Sequence, residues 1–320
     1  MHTRNFLAMI NRNLLRLKII QVLYSYYKNE ENDFNKAKEE LLLSIDKTYE
    51  LYHYFFQLII EITNQAEKKL NKKLISEEDL NKNKRLVFNK FTQQLKSNRQ
   101  LQTYMEEHEV DWNFEDSEAI KELYKQIIDS EVFSEYIKEE RSYSEDKELW
   151  RNIFKKIISE SENLGKELED LSIYWNDDAE IVVSFVIKTI KQFEESNGEN
   201  QTLLPKFKDS EDEQYVLTLF KNAIFNANDY KELITTHAKN WDADRIAFLD
   251  IIIMQTALAE ICTFPSIPVS VSMNEYLEIA KAYSTNKSSN FINGILDAIV
   301  KDLTKEKKIT KVAYMNSYKK

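Results

Sequence analysis

The stretch W-D-A-D-R-I-A-F-L-D-I-I-I-M-Q-T-A-L-A-E-I, residues 241–261, decides the fold class. Between Ile246 and Leu258 only Asp250, Gln255 and Thr256 are polar. A helix with so little polar surface belongs in a core, covered by other elements on most sides. Pro265 and Pro268 end it and force an extended link. Ser272 and Glu275 then read as a capping box, with Glu three residues after Ser. Met273, Tyr276, Leu277, Ala280 and Tyr283 follow at helical spacing. A last helix carries Ile292, Ile295, Leu296, Ile299 and Leu303 on one stripe. Gly294 lies inside it, where Gly costs about 1 kcal/mol relative to Ala. That cost predicts close approach of a neighbouring helix.

Composition extends this reading to the whole chain. Its 320 residues include 42% hydrophobic residues but three Gly and three Pro. Sheets and Gly-rich nucleotide folds need more turn residues, so the chain is expected to be all-α, built of long helices. Cys262 is the single cysteine, which excludes an internal disulfide framework and suits a reducing compartment. No apolar run reaches the ~18 residues of a membrane span. The first residues lack the apolar block of a signal peptide. A cytoplasmic location, with no membrane partner, is the expectation.

Charge is uneven. Net charge is −10, yet residues 1–28 hold Arg4, Arg12, Arg16, Lys18 and Lys28 and no acid. Residues 301–320 hold seven Lys against Asp302 and Glu306. Basic ends around an acidic middle can hold a polyanion at one place and repel it elsewhere. Catalytic signatures are missing: there is no Gly-rich phosphate loop, H-E-x-x-H, paired Cys motif or G-x-S-x-G. His2, His53, His108 and His237 are scattered and read as surface or packing residues. Neither catalytic residues, a metal nor a cofactor is expected, so the chain reads as a binding protein, not an enzyme.

Along the chain, a first helix is expected from about Asn11 to Lys28, with Arg12 and Arg16 one turn apart. Asp33 can cap a second helix running to Leu70 through Tyr49, Tyr52, Tyr54, Phe55 and Phe56. Those aromatics sit in an apolar stretch without interleaved Lys or Arg, which favours core over base stacking. Residues 71–81 read as a connector and 83–107 as helical. Glu115 to Asp146 holds eleven acids and four bases. Its Leu123, Ile127, Ile128, Val132, Phe133 and Ile137 still recur at helical spacing, predicting an amphipathic acidic helix. Helical runs at 147–171 and 177–193 follow, then the loop E-E-S-N-G-E-N-Q.

The segments N-R-N-L-L-R-L-K-I-I-Q-V-L-Y-S-Y, D-R-I-A-F-L-D, A-L-A-E-I, I-P-V-S-V-S-M-N-E, E-I-A-K-A-Y and N-F-I-N-G-I-L-D, in this order, resemble the NusB family of transcription antitermination factors. The resemblance covers a third to a half of the chain. It implies a pair of packed helical bundles, here with an added helical insertion. The expected organisation is N-terminal helices of the core at 1–70, an insertion at 71–172, a C-terminal bundle at 173–304 and a basic tail at 305–320. It further implies an adaptor that binds boxA-like single-stranded RNA together with the ribosomal protein that doubles as NusE. Such an adaptor acts indirectly on the elongating RNA polymerase complex and supports ribosomal RNA transcription.

By the same resemblance, Arg12 and Arg16 fall on arginine positions of the RNA face. Asn13 and Leu14 stand where other members carry arginine, which shares the burden with Arg4, Lys18 and the Lys-rich tail. The bend before the last helix offers Lys287 for phosphate, Asn290 for a base edge or ribose, and Phe291 for stacking or for core packing. Tyr24, Asp244 and Asp250 map onto the partner-protein face. Tyr24 also suits an interior place and Asp244 a helix start. Asp250, a carboxylate in an apolar helix, needs a partner within the fold or on another protein. Two other functions fit less of the sequence. A helical scaffold binding only proteins would use the acidic insert. A relative of the RNA-binding domain of ribosomal RNA cytosine methyltransferases would need a cofactor loop that three Gly do not provide.

Overall fold

The computed structural model describes residues 8–29, 32–71, 76–108, 112, 114, 117–238, 247–285, 287–309 and 311. Among them the regular structure is helical, with no strand. Two compact units divide the chain. Ile10–Ile45 with Phe207–Lys320 form one, here the core unit, and Met1–Met9 with Asp46–Lys206 form the other, called the insertion unit because it contains the expected insertion at 71–172.

Helix α1 (Arg12–Lys28) starts on Asn11, whose side chain accepts from the Leu14 amide at 2.9 Å. Helix α2 (Phe34–Leu70) starts on Asp33, which accepts from the Asn35 and Lys36 amides. The division between the units falls inside α2, and at 206 rather than at 71 and 172. The boundary thus cuts through α2 itself. The reason lies in the aromatic half of α2. Tyr52, Tyr54, Phe55 and Phe56 are at most 1% exposed. Tyr54 packs on Phe114 and Trp175, Phe55 on Phe154, and Phe56 on Phe193. Each such ring contributes about 1.5–3 kcal/mol by leaving water, so this stretch of α2 serves as the spine of the insertion unit.

Around that spine the expected long helices are broken. The 83–107 run becomes α3 (Glu77–Val87), α4 (Lys90–Lys96) and α5 (Arg99–Glu107). Asn89 and Asn98 cap the last two through their side-chain oxygens. The single acidic helix expected over 115–146 is instead α6 (Glu118–Ile128) and α7 (Glu131–Tyr136), with Ser117 and Ser130 as caps. Next come α8 (Tyr143–Lys156), a short 3-10 turn at 158–160, α9 (Glu162–Leu171) and α10 (Ala179–Gln192). Short polar caps outweigh hydrophobic periodicity here, because each satisfies amide donors that a helix start leaves open.

The core unit continues with α11 (Ser210–Phe225), α12 (Ala227–His237), α13 (Phe248–Thr263), α14 (Val269–Tyr283) and α15 (Ser288–Lys305). Helix α13 is the central element, with α1, α11, α12, α14 and α15 all packed on it. Every residue from Ile252 to Ile261 in it is buried. Two local expectations change. Helix α14 starts at Val269 after Pro268, so Ser272 is inside the helix and no capping box forms. A carboxylate on α13 recruits the Ser272 hydroxyl instead. At Gly294 an added Cβ would meet nothing within 4 Å, so no neighbouring helix comes close there.

Candidate functional site

Two polar nodes mark the two ends of α13. At its C-terminal end Glu260 is fully buried. The Arg16 guanidinium donates to it twice, Nε to Oε2 at 2.8 Å and Nη2 to Oε1 at 3.0 Å. Ser272 Oγ donates at 2.6 Å, Tyr276 Oη at 3.3 Å, and Tyr215 Oη donates as well. Glu275 lies 3.5 Å from Arg16 Nη1. Burial alone would raise the Glu260 pKa, but the hydrogen bonds and charge of Arg16, with Ser272 and Tyr215, outweigh it and hold the carboxyl below its ordinary range. Arg16, α11 and α14 are thus tied to one carboxylate.

This arrangement corrects the reading of Arg16 as a phosphate contact. Arg16 is 3% exposed and its charge faces inward. Lys18 is 2% exposed. Arg12 keeps an open side: its Nε donates to Asp212 Oδ1 at 3.0 Å and its guanidinium lies 4.9 Å from the Tyr215 ring centre, while the side chain stays 37% exposed. Arg12 and Arg16 are therefore met by acids from α11, α13 and α14. At the same end Lys311 Nζ donates to the Phe264 carbonyl, the C-cap of α13, at 2.8 Å.

At the N-terminal end of α13, Asp250 is 4% exposed. It accepts from Ser284 Oγ at 2.5 Å and from Ser288 Oγ at 2.8 Å. Ser288 Oγ also closes on the Thr285 amide and hydroxyl. The partner that Asp250 requires is thus inside the fold, and its expected place on a docking face is corrected accordingly. Its carboxylate fixes the bend that leads into α15. Lys287 and Asn290 are exposed on that bend and first turn, and Phe291 is half-buried. On α1, which runs antiparallel to α13, Tyr24 is 41% exposed with its ring edge-on to Phe248 at 5.3 Å. Lys28 Nζ sits 4.6 Å from the Phe248 ring centre. Asp244 lies outside the described residues.

The expected residues therefore do not converge on one point. Arg12 and Arg16 belong to the Glu260 end of α13, whereas Lys287, Asn290, Phe291, Tyr24 and Lys28 belong to the Asp250 end. Ten residues at 1.5 Å rise separate Asp250 from Glu260, or about 15 Å. A ligand using both ends must lie along the unit. Sequence reasoning overlooked Glu260. Glu260 had a usable signal, since a lone acid between Ala259 and Ile261 demands a buried partner just as Asp250 does. Among the described residues no group of His, Cys, Asp and Glu could hold a metal, and no helix is long and apolar enough to cross a membrane. Cys262 is exposed rather than enclosed by the core.

Residues 180–301 match the family model described as NusB family. The chain is 33% identical over 132 residues to the transcription antitermination protein NusB of Salinibacter ruber, covering 39% of this chain and 82% of that protein. It is 37% identical over 110 residues to that of Koribacter versatilis, covering 34% of this chain and 75% of the relative. With the Chloroherpeton thalassium protein of the same name, identity is 44% over 84 residues, 26% of this chain and 40% of the relative. No solved structure matches significantly.

Proposed function

The chain belongs to the NusB family of transcription antitermination proteins, and on that premise we propose that it is an RNA-binding adaptor. It holds boxA-like single-stranded RNA together with the NusE ribosomal protein and so supports ribosomal RNA transcription by the elongating polymerase. The observation that carries this reading is the clasp of Asp250 on Ser284 and Ser288. A buried carboxylate that spends both oxygens on a surface bend makes that bend rigid, and a preorganised bend binds without an ordering cost. The bend presents Lys287 to phosphate and Asn290 and Phe291 to a base. Arg12, near the Glu260 end of α13, supplies a second phosphate contact, so the strand runs along the unit. Tyr24, exposed beside Phe248, docks the ribosomal protein together with Asp244, which lies four residues before Phe248 in sequence. Arg16 and Asp250 shape these surfaces from within.

Two modest sites on one RNA–protein assembly bind cooperatively through raised effective concentration. Fluorescence anisotropy of a labelled boxA-like RNA, titrated with this chain with and without the ribosomal protein, tests the adaptor. The expected result is tighter RNA binding when the ribosomal protein is present. Equal affinity in both titrations would defeat the proposal.

A further inference from the structure

The insertion unit has a charge pattern that the adaptor leaves unused. Residues 46–206 carry net charge −11, yet residues 81–105 hold Lys82, Lys84, Arg85, Lys90, Lys96 and Arg99 and no acid. This run builds α3, α4 and α5. Lys84 is exposed, and Phe88 one turn later is 58% exposed, two residues before Lys90. An apolar ring of that size left in water between cations is the composition of a surface that tracks single-stranded nucleic acid. The acid-rich remainder of the unit confines a polyanion to this face.

Lys90 and Arg99 meet one short acidic segment. Lys90 Nζ lies 2.9 Å from Glu195 Oε1, and Arg99 pairs with Glu199. The backbone of that segment is held firmly. Gln94 Nε2 donates to the Glu194 and Gly198 carbonyls, and Gln201 Oε1 accepts from the Glu194 amide. Gly198 takes a positive φ of 49°, the one conformation there that favours glycine. The carboxylates are therefore fixed beside the cations, but both ion pairs are open to water. The side chains are 56% and 57% exposed in one pair, 66% and 45% in the other. Such pairs are weak and exchange readily for a multivalent anion. Arg99 also lines a cavity of about 450 Å³ with Tyr49, Gln100, Thr103, Tyr104 and Lys206. That volume lies within the range of small-ligand sites and offers the Gln100 amide and the Thr103 hydroxyl to a base edge, while the Tyr104 ring is already stacked on His53 and His108.

We propose that this face of the insertion unit is a second site for single-stranded RNA. Phosphates bind Lys90 and Arg99 by displacing the carboxylates of Glu195 and Glu199, and one base enters the cavity beside Gln100 and Thr103. The inference rests on the reading of the chain as an RNA-binding protein. Under it the insertion unit adds RNA contacts of its own.

A titration of the full chain with a labelled boxA-like RNA, extended by unstructured flanking nucleotides and followed over a range of salt, tests this second site. The Glu195→Gln/Glu199→Gln variant is expected to bind about five-fold more tightly at low salt, because two competing carboxylates are gone. Misfolding does not produce a gain of this kind. The Lys90→Glu/Arg99→Glu variant should bind more weakly, with the log–log salt slope flattened by about 1.4, or ~0.7 per lost phosphate contact. Thr103→Trp, which fills the cavity, should weaken binding and leave the slope unchanged. If the parent chain binds the RNA and both double variants match it in affinity and slope, the second site is overturned while the adaptor stands. If the parent chain binds no RNA, both fall.

Discussion

Glu260→Gln should destabilise the core unit by about 3 kcal/mol. Removing one partner of a buried ion pair costs ~3–5 kcal/mol, since the remaining charge stays in a low-dielectric site. Here the remaining charge is Arg16, 3% exposed. Its Nη1 still has Glu275 at 3.5 Å, a carboxylate 36% exposed, which places the loss at the lower end. The amide keeps the volume of the carboxylate and can turn its oxygen to Tyr215 and Tyr276, but its NH2 then faces the Arg16 Nη2 donor, so the loss reports on the charge and on one Arg16 hydrogen bond. With a urea dependence of about 2 kcal/mol per molar, the midpoint should fall by about 1.5 M, read by far-ultraviolet circular dichroism. The pH dependence gives a second reading. Glu260 titrates below its ordinary value, so its contribution is full above pH 4.5 and is lost as pH falls further, through the folded-state pKa. Parent and variant should therefore approach one another in acid. A variant within about 0.5 kcal/mol of the parent at neutral pH would refute the view that this node organises α1, α11 and α14 about α13.

Other perturbations reach other parts of the molecule. His53 is 3% exposed, donates from Nδ1 to the Tyr49 carbonyl and stacks on Tyr104 at 3.5 Å; burial drives its pKa down to about 4. The unfolded chain takes up that proton near pH 6.5, so the insertion unit should lose about 3 kcal/mol between pH 6.5 and 4, and His53→Phe should flatten that stretch of the stability profile. Gly294→Ala should stabilise α15 by about 1 kcal/mol in thermal or urea unfolding, because the new methyl meets open space; a loss would show a contact there. Lys287→Glu should weaken boxA-like RNA binding and flatten its salt slope by about 0.7, and an unchanged slope would remove the bend from the RNA face.

The sequence carried the coarse architecture because α13 is apolar nearly all round and because Asn11, Asp33 and the Pro265–Pro268 link punctuate their neighbours. Breaks inside the insertion were illegible for a physical reason. Asn89, Asn98 and Ser130 interrupt runs whose apolar spacing continues across them, and a cap is decided by local amide geometry that spacing does not encode. Within the site, the requirement that Asp250 find a partner was readable, but its choice of Ser284 and Ser288 depended on how α15 enters. Arg16 was misread because an arginine one turn from Arg12 looks solvent-facing until Glu260 is seen opposite. Its flanking Leu15 and Leu17, buried like Arg16 itself, were the overlooked sign.

If the clasped bend before α15 is where this chain holds RNA, bound RNA must lie against it. Ultraviolet crosslinking of a boxA-like RNA to the full chain with the ribosomal protein present, followed by mass-spectrometric mapping, reads that contact. Crosslinks are expected in the peptide spanning residues 284–291, centred on Phe291, and should disappear when unlabelled boxA-like RNA competes. Specific crosslinks found elsewhere on the chain, with none in that peptide, would contradict the assignment.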